Sequence, residues 1–429
     1  MDLMRRTTRR VFTGLVAVLV AGGLAACQDA GAPLQPDGLQ STDADAAARG
    51  GGPPSHAGGS SSASCDVTVP GDAGTVQGGV DAAAAGATVC VDGGTWTEQV
   101  VIDKDLTLRG LDGATIEAPA DPGDFTIPEN DDTWEPIVFA HGGSASGGDV
   151  SGSGTVDVTV RGFTVDGGGP GSGPRYVGIF YRNAHGTVEG NTVANMGVGG
   201  RETFGILAYG NSEVRIVGNT VSDYERGGIG ANGDGGAHPA PEVQIVGNDV
   251  TGSTGIGEAW GPNGIQIGFG ASGQIRNNVV RDNRYSETSA TAACIIVFES
   301  DDVKVQGNEV ENCDAALSVG SWAWFAPSAD NVKIQRNRVD ESLYGAYMEI
   351  VAWDGFSSTD ASVSNAKVIQ NQLSGGSIGI TGVRIATYDL DPDYDPIADN
   401  NKLINNRISG FTTAVEDAGT ATKRAANAF

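Results

Sequence analysis

An asparagine returns at a nearly fixed interval along this chain, at Asn191, Asn219, Asn248, Asn278, Asn308, Asn337, Asn371 and Asn406. The steps are 28, 29, 30, 30, 29, 34 and 35 residues. Two places after each comes an aliphatic residue: Val193, Val221, Val250, Val280, Val310, Val339, Leu373 and Ile408. Just before each lies an alternating stretch, for example Val214-Arg215-Ile216, Val243-Gln244-Ile245, Val303-Lys304-Val305 and Val332-Lys333-Ile334. Alternation with period two turns one set of side chains inward and the other outward. Another short strand precedes that one, at Gly178-Ile179, Gly205-Ile206, Gly228-Ile229, Gly264-Ile265 and Cys294-Ile295. Each repeat therefore holds three short strands, here called first, second and third in chain order, and no helix.

Such a unit cannot bury its apolar face alone. Stacking successive coils at the strand spacing of roughly 4.8 Å does bury it. The asparagine fits this geometry because an amide has both donor and acceptor, so stacked amides can bond up and down inside the coil. Gly190, Gly218, Gly247 and Gly307, each just before the asparagine, suit a sharp bend. A propeller blade needs four strands, and neither a propeller nor an open sandwich explains the asparagine register. The expected fold is all-β, a single-stranded right-handed parallel β-helix of roughly ten or eleven coils.

Upstream, Val76 to Ala85 reads as a short helix that closes the first coil and hides its open edge. Thr88 to Val91, Val100 to Ile102 and Leu106 to Leu108 read as strands, with Gly94 to Glu98 as a turn. At these residues the sequence resembles the pectin-lyase-like superfamily of right-handed β-helices. GTWTEQVVIDKDLTLRG, from Gly94 to Gly110, looks like the first coil of many members, and VRIVGNTV, VQIVGNDV and VKVQGNEV look like the generic coil repeat. The resemblance covers about residues 65–415. It implies a fold rather than an activity, because the superfamily includes lyases, hydrolases, esterases, epimerases and proteins without known activity.

The N-terminus reads as an export signal. Arg5, Arg6, Arg9 and Arg10 precede a short apolar stretch, Val11 to Val20, and then Leu24-Ala25-Ala26-Cys27, which matches a bacterial lipobox. Thr8-Arg9-Arg10-Val11-Phe12 also resembles a twin-arginine signal. Residues 1–26 are thus expected to be a lipoprotein signal peptide, with Cys27 lipidated. Residues 27–64 are expected to form a flexible Gly/Ser/Pro/Ala tether. The β-helix is expected over 65–415, and a C-terminal tail over 416–429. This places the protein outside the cytoplasm as a cell-envelope lipoprotein, in the periplasm or on the outer-membrane surface, touching membrane lipid only through its Cys27 anchor. Four cysteines remain: Cys65, Cys90, Cys294 and Cys313. An exported chain permits disulfides. Three connectivities are possible, and sequence proximity favours Cys65–Cys90 and Cys294–Cys313.

The formal charge of −27 argues against nucleic acid and anionic membranes as partners. It also repels a polyanionic substrate at long range, unless Ca²⁺ screens it or a basic cleft opposes it. A monomer is expected. Gly94-Thr95-Trp96-Thr97-Glu98 resembles a pectin methylesterase motif, but the aspartate-bearing motifs of those enzymes are missing, so a structural role is expected. Asp301-Asp302 resembles the paired carboxylates of polygalacturonases, again without the partner motifs, and reads as a pair of turn acids. Asp389, Asp391, Asp393 and Asp395 alternate on one loop and are a candidate Ca²⁺ site, with a solvated acidic loop as the alternative. Arg215, Gln244, Gln274, Lys304, Lys333, Lys367 and Lys402 form one outward column of the second strands, either a solvated face or a strip tracking an anionic glycan. Trp322, Trp324, Phe325 and Trp353 offer a sugar-stacking platform or a folded-over loop.

The functional site is expected on the outer face of the first strands in the early and middle coils. Phe180, Arg182, Leu207, Tyr209, Gly230, Asn232, Gln266 and Gly268 point outward there, and Gly230 and Gly268 leave room for a ligand. An acidic-sugar lyase needs a cation to neutralise a carboxylate and a base to take the neighbouring proton. Arg201 or Arg226 is the candidate cation, and His238 or Tyr209 the candidate base. Arg182, Asn232, Glu258, Trp260 and Gln266 are candidate substrate-binding residues. The expected function is action on polysaccharide, as a lyase or glycoside hydrolase. The alternatives are a non-catalytic glycan-binding or surface-interaction β-helix, and a maturation or assembly factor.

Overall fold

The computed structural model describes residues 64–127, 132–146, 149–151, 154–168, 175–197, 202–234, 236, 238–252, 261–285, 292–323, 326–340, 348–353, 360–388 and 395–429. Apart from one helix and a small antiparallel group between Phe125 and Ser151, the strands of the described chain are parallel and pair coil to coil. The second strands make one 13-stranded sheet, running from Val67–Val69 through Ala184–Glu189, Glu213–Val217 and Glu242–Val246 to Lys423–Ala425. This exceeds the expected ten or eleven because the N-terminal strands stack without the asparagine signature and the last coil carries it only 21 residues after Asn406. The N-terminal strands Val67–Val69, Ala87–Val91 and Leu106–Gly110 follow one another at short intervals. At the other end, Lys423–Ala425 pairs with Lys402–Ile404, so residues 416–429 belong to the stack and are not a separate tail.

Register explains the core. Ile216, Ile245, Ile275, Val305 and Ile334 are successive partners in the second sheet, and all are buried. Val193, Val221, Val250, Val280, Val310, Val339 and Leu373 do the same in the third. Each such side chain contributes roughly 1.5–3 kcal/mol by leaving water.

Between second and third strands the asparagines form one continuous ladder. Nδ2 of Asn191 donates to Oδ1 of Asn219 at 3.1 Å, and the same bond recurs through Asn248, Asn278, Asn308, Asn337, Asn371 and Asn406 to Asn427. Each Oδ1 also accepts the backbone N–H of the preceding asparagine, as Asn278 does from Asn248 at 2.9 Å. The second Nδ2 hydrogen goes to a carbonyl, as from Asn278 to Ile245 at 3.0 Å. Buried amides are thereby fully used. The residue before each is left-handed, with φ of 60° to 67° at Gly190, Gly218, Gly247 and Gly307, and 55° and 56° at Arg336 and Gln370. Glycine relieves the Cβ strain of this bend where it occurs.

The expected N-terminal cap is the helix Val76–Ala82. Thr75 accepts the Gly78 N–H at 3.0 Å, and the Glu98 carboxylate accepts from Val76 N and Gln77 N, both at 2.8 Å. Glu98 is therefore structural, although Gly94–Thr97 is a strand rather than the expected turn. Asp301 is a turn acid as expected, accepting Asp330 N at 2.7 Å and the Ser328 hydroxyl at 3.0 Å. Cys294 and Cys313 form a disulfide across neighbouring coils, with Cα atoms 5.6 Å apart. Cys65 and Cys90 are each disulfide-bonded as well. Among the described residues no helix is long and apolar enough to cross a membrane.

Candidate functional site

The outward residues of the first strands fall into two columns. Phe139, Phe180, Leu207, Gly230, Gln266 and Ile296 are register partners in one. His141, Arg182, Tyr209, Asn232, Gly268 and Phe298 are partners in the other. These side chains face away from the coil interior, as the alternation required, but most of them are not open to solvent. The first column is covered in the early coils by a second apolar core of Ile127, Trp134, Phe139, Val177, Phe180, Phe204, Leu207 and Tyr209. Strand Phe125–Ile127 folds antiparallel onto the start of Asp132–His141 and brings Trp134 over the sheet. The Trp134 ring centroid lies 5.3 Å from that of Phe180 and 6.3 Å from that of Tyr209. Arg175 sits over Trp134 at 5.4 Å and is held by Asp132 at 3.0 Å and Glu202 at 2.8 Å.

Two expectations change as a result. The space above Gly230 is filled, since a Cβ there would meet Leu207 at 2.9 Å and Phe204 at 3.3 Å. The space above Gly268 holds an amide bridge, in which Gln266 Nε2 donates to Asn232 Oδ1 at 2.8 Å and Asn263 Nδ2 donates to Gln266 Oε1 at 3.0 Å. Neither glycine leaves ligand room on its own.

The second column is the polar one, stacking His141, Arg182, Tyr209 and Asn232 on four consecutive coils. His141 is 3 % exposed and Arg182 0 %. Burial pushes the His141 imidazole below its ordinary pKa; a backbone contact with Gly142 and the charge of Asp103 act the other way, while Arg182 adds to the lowering. Burial pushes the Tyr209 phenol well above its ordinary range, with Asp132 and Asp234 in the same direction and Arg175 and Arg182 opposing. A raised phenol pKa favours the protonated form, in which Tyr209 is a proton or hydrogen-bond donor.

Beyond Asn232 the chain turns through Asp234 to His238. His238 Nδ1 lies 2.7 Å from Asp234 Oδ2, and the His238 backbone N–H donates to Asp234 Oδ1 at 3.0 Å. One carboxylate thus fixes the ring and turns Nε2 away from itself. Arg226 is not part of this group. It precedes strand Gly227–Asn232, about 20 Å along the chain from Asn232 at strand rise, and its Nη1 donates to Gly261 O at 3.0 Å. It braces a turn, and Arg182 is the cation that the fold brings to the column.

Phe298 continues the polar column into later coils. It meets Phe269 at 5.4 Å and Trp322 at 5.2 Å between ring centroids, both edge to face.

A family model described as "Right handed beta helix region" matches residues 204–388. Among solved structures, a variant of the periplasmic alginate epimerase AlgG matches at TM-score 0.51 and 13% identity, over 80% of this chain and 77% of that one. The chain has the right-handed parallel β-helix fold. Two further matches are the mannuronan C-5 epimerase AlgE4 A-module of Azotobacter vinelandii and the catalytic unit of a thermostable alpha-1,3-glucanase from Streptomyces thermodiastaticus. The first has TM-score 0.47 and 16% identity over 81% of this chain and 94% of that one. The second has TM-score 0.45 and 13% identity over 85% and 68%. No curated protein matches the sequence of this β-helix. At such identities the likeness bears on the fold.

Several sequence-predicted residues lie outside the described residues: Cys27, Arg201, Glu258, Trp260, Trp324, Phe325, Asp389, Asp391 and Asp393. The fourth acid of the calcium candidate, Asp395, donates its backbone N–H to Asp360 at 3.1 Å. Among the described residues no group of three or more His, Cys, Asp or Glu could hold a metal. Of the histidines that could supply a general base, His238 was the expected one; His141 is the register partner of Arg182 in the same column.

Proposed function

We propose that this is an exported, Cys27-anchored β-helix that acts on a polysaccharide at the second outward column, by lyase-type chemistry. The observation that carries the reading is the His238–Asp234 pair, 2.7 Å apart, at the end of a buried His141–Arg182–Tyr209–Asn232 column. Polar groups held out of water without a task are costly. In the proposed reaction His238 Nε2 takes the proton next to a sugar carboxylate, with Asp234 stabilising the imidazolium. Arg182 neutralises the carboxylate as its negative charge spreads. The electron pair left by that proton forms the carbon–carbon double bond as the glycosidic carbon–oxygen bond breaks, and Tyr209 protonates the leaving oxygen. Phe269, Phe298 and Trp322 supply apolar faces for neighbouring sugars. A glycosidase would need two free carboxylates flanking the bond, and Asp234 is already engaged by His238. The epimerase and glucanase names of the matched structures are in keeping with a sugar polymer as substrate. The low exposure of His141 and Arg182 favours a second reading, a non-catalytic glycan-binding β-helix. Substituting His238→Ala, Arg182→Ala and Tyr209→Phe singly separates the two. The catalytic reading expects turnover to fall in all three with the fold intact, and unchanged turnover in all three overturns it.

A further inference from the structure

The chain has six lysines, and five of them form a single file. Lys304, Lys333, Lys367, Lys402 and Lys423 are direct partners on consecutive strands of the second sheet. The sixth, Lys104, donates to Asp81 O at 3.3 Å. At the strand spacing the file is about 19 Å long. None of the five ammonium groups makes an ion pair or hydrogen bond among the described residues.

The side chains around the file show where charge has been withheld. Earlier in this column Arg215 sits beside Glu213 and is followed by Gln244 beside Glu242. From Lys333 onward the outward neighbours two places before and after are Asn331 and Gln335, Asn365 and Ile369, Asn400 and Ile404, and Ala421 and Ala425. A carboxylate remains at such a position only at Asp302, beside Lys304. The nearby acids Asp330 and Asp399 are bonded to Ser362 and Ser364, and to Thr420. Like charges directly opposite on neighbouring strands repel. A chain of net charge −27 that places five of its six lysines in this way, with Asp302 the one carboxylate in the flanking outward positions, has a surface complementary to a regularly spaced anion.

We propose that this file binds a linear acidic polysaccharide laid along the helix axis, one ammonium to one sugar carboxylate. Such a polymer carries one charge per sugar, a repeat on the order of the 5 Å coil rise. Lysine, a compact point charge, suits a flexible polymer better than a fixed planar ligand. Single-stranded nucleic acid would want aromatic rings to stack its bases, and the neighbours named above include none. The file is one residue wide, too narrow for an anionic membrane surface. This binding strip lies on a different sheet from the proposed reactive column, and it rests on the polysaccharide reading only for the class of polymer.

Calorimetric titration with a linear oligouronate of about ten sugars, at low and at high salt, tests it. The wild type should bind, and bind more weakly at high salt. Lys333→Gln, Lys367→Gln and Lys402→Gln combined should lose about tenfold or more in affinity, and the corresponding triple arginine variant should retain it. Unchanged thermal unfolding of both variants shows that the fold is kept. Three results would overturn the proposal: no binding by the wild type, equal binding by the glutamine variant, or tighter binding of a single-stranded oligonucleotide or of anionic vesicles. If the protein turns over only a neutral glycan and ignores the oligouronate, the lysine file fails while the carbohydrate activity stands. Lysine-dependent binding without turnover keeps the strip and removes the proposed catalysis.

Discussion

His238 presents its Nδ1 to the Asp234 carboxylate at 2.7 Å, so one acid four residues back fixes both the tautomer and the direction of the ring. Asp234→Asn keeps the size of the side chain and removes the charge. It should lower kcat by roughly 10²–10⁴-fold with a smaller change in KM, as expected when a base is misoriented rather than a substrate lost. Steady-state kinetics on the glycan that the wild type turns over checks this. An unchanged kcat would remove His238 from the chemistry.

Stability should depend on pH through His141. In the unfolded chain it takes up a proton around its ordinary pKa of 6.5, while in the fold burial lowers that value. Below pH 6.5 the unfolded chain therefore binds more protons, and stability falls as pH drops through the window down to the depressed folded value. Denaturant unfolding between pH 7.5 and about 5 should show this slope, and His141→Gln should flatten it. An equal slope in the variant would assign it to other groups.

The asparagine ladder should be intolerant of interruption. Asn278 accepts two N–H groups of Asn248 and donates to Ile245 and Asn308. Asn278→Ala leaves buried donors and acceptors unpaired, at a cost of roughly 2–4 kcal/mol. Urea unfolding should report that loss, whereas Asn277→Ala, on the neighbouring exposed position, should cost far less.

Anchoring should depend on Cys27. Cys27→Ser should release or mislocalise the protein on membrane fractionation. A mutant as firmly anchored as the wild type would end the lipoprotein reading.

Much of the solenoid was legible because one residue type repeats with one function. A buried amide has a single way to satisfy itself between coils, so Asn191 to Asn406 announce the coil length, and Val193 and its successors announce the inward face. The two ends were harder. Val67–Val69 and Leu106–Gly110 stack without ladder asparagines, and Asn427 follows Asn406 by only 21 residues. The site was half legible. Alternation correctly turned Arg182, Tyr209 and Asn232 outward, but it says nothing of what covers them. Trp134 and Phe139 come from a coil of about 50 residues between Leu106–Gly110 and Val156–Arg161 that has no periodic signal. Their second core, which fills the space above Gly230, was therefore out of reach. Arg226 misled because it is near Asn232 in sequence yet stands at the other end of its strand.

Whether the buried polar column performs chemistry on a sugar polymer is open to a direct assay. The purified domain is incubated with a panel of acidic and neutral polysaccharides while ultraviolet absorbance and reducing ends are followed together. With the wild type, at least one acidic polymer should yield both unsaturated absorbance and new reducing ends, and His238→Ala should abolish both. Reducing ends without absorbance would contradict the lyase chemistry. No product from any polymer, with binding intact, would contradict catalysis itself and leave a glycan-binding β-helix.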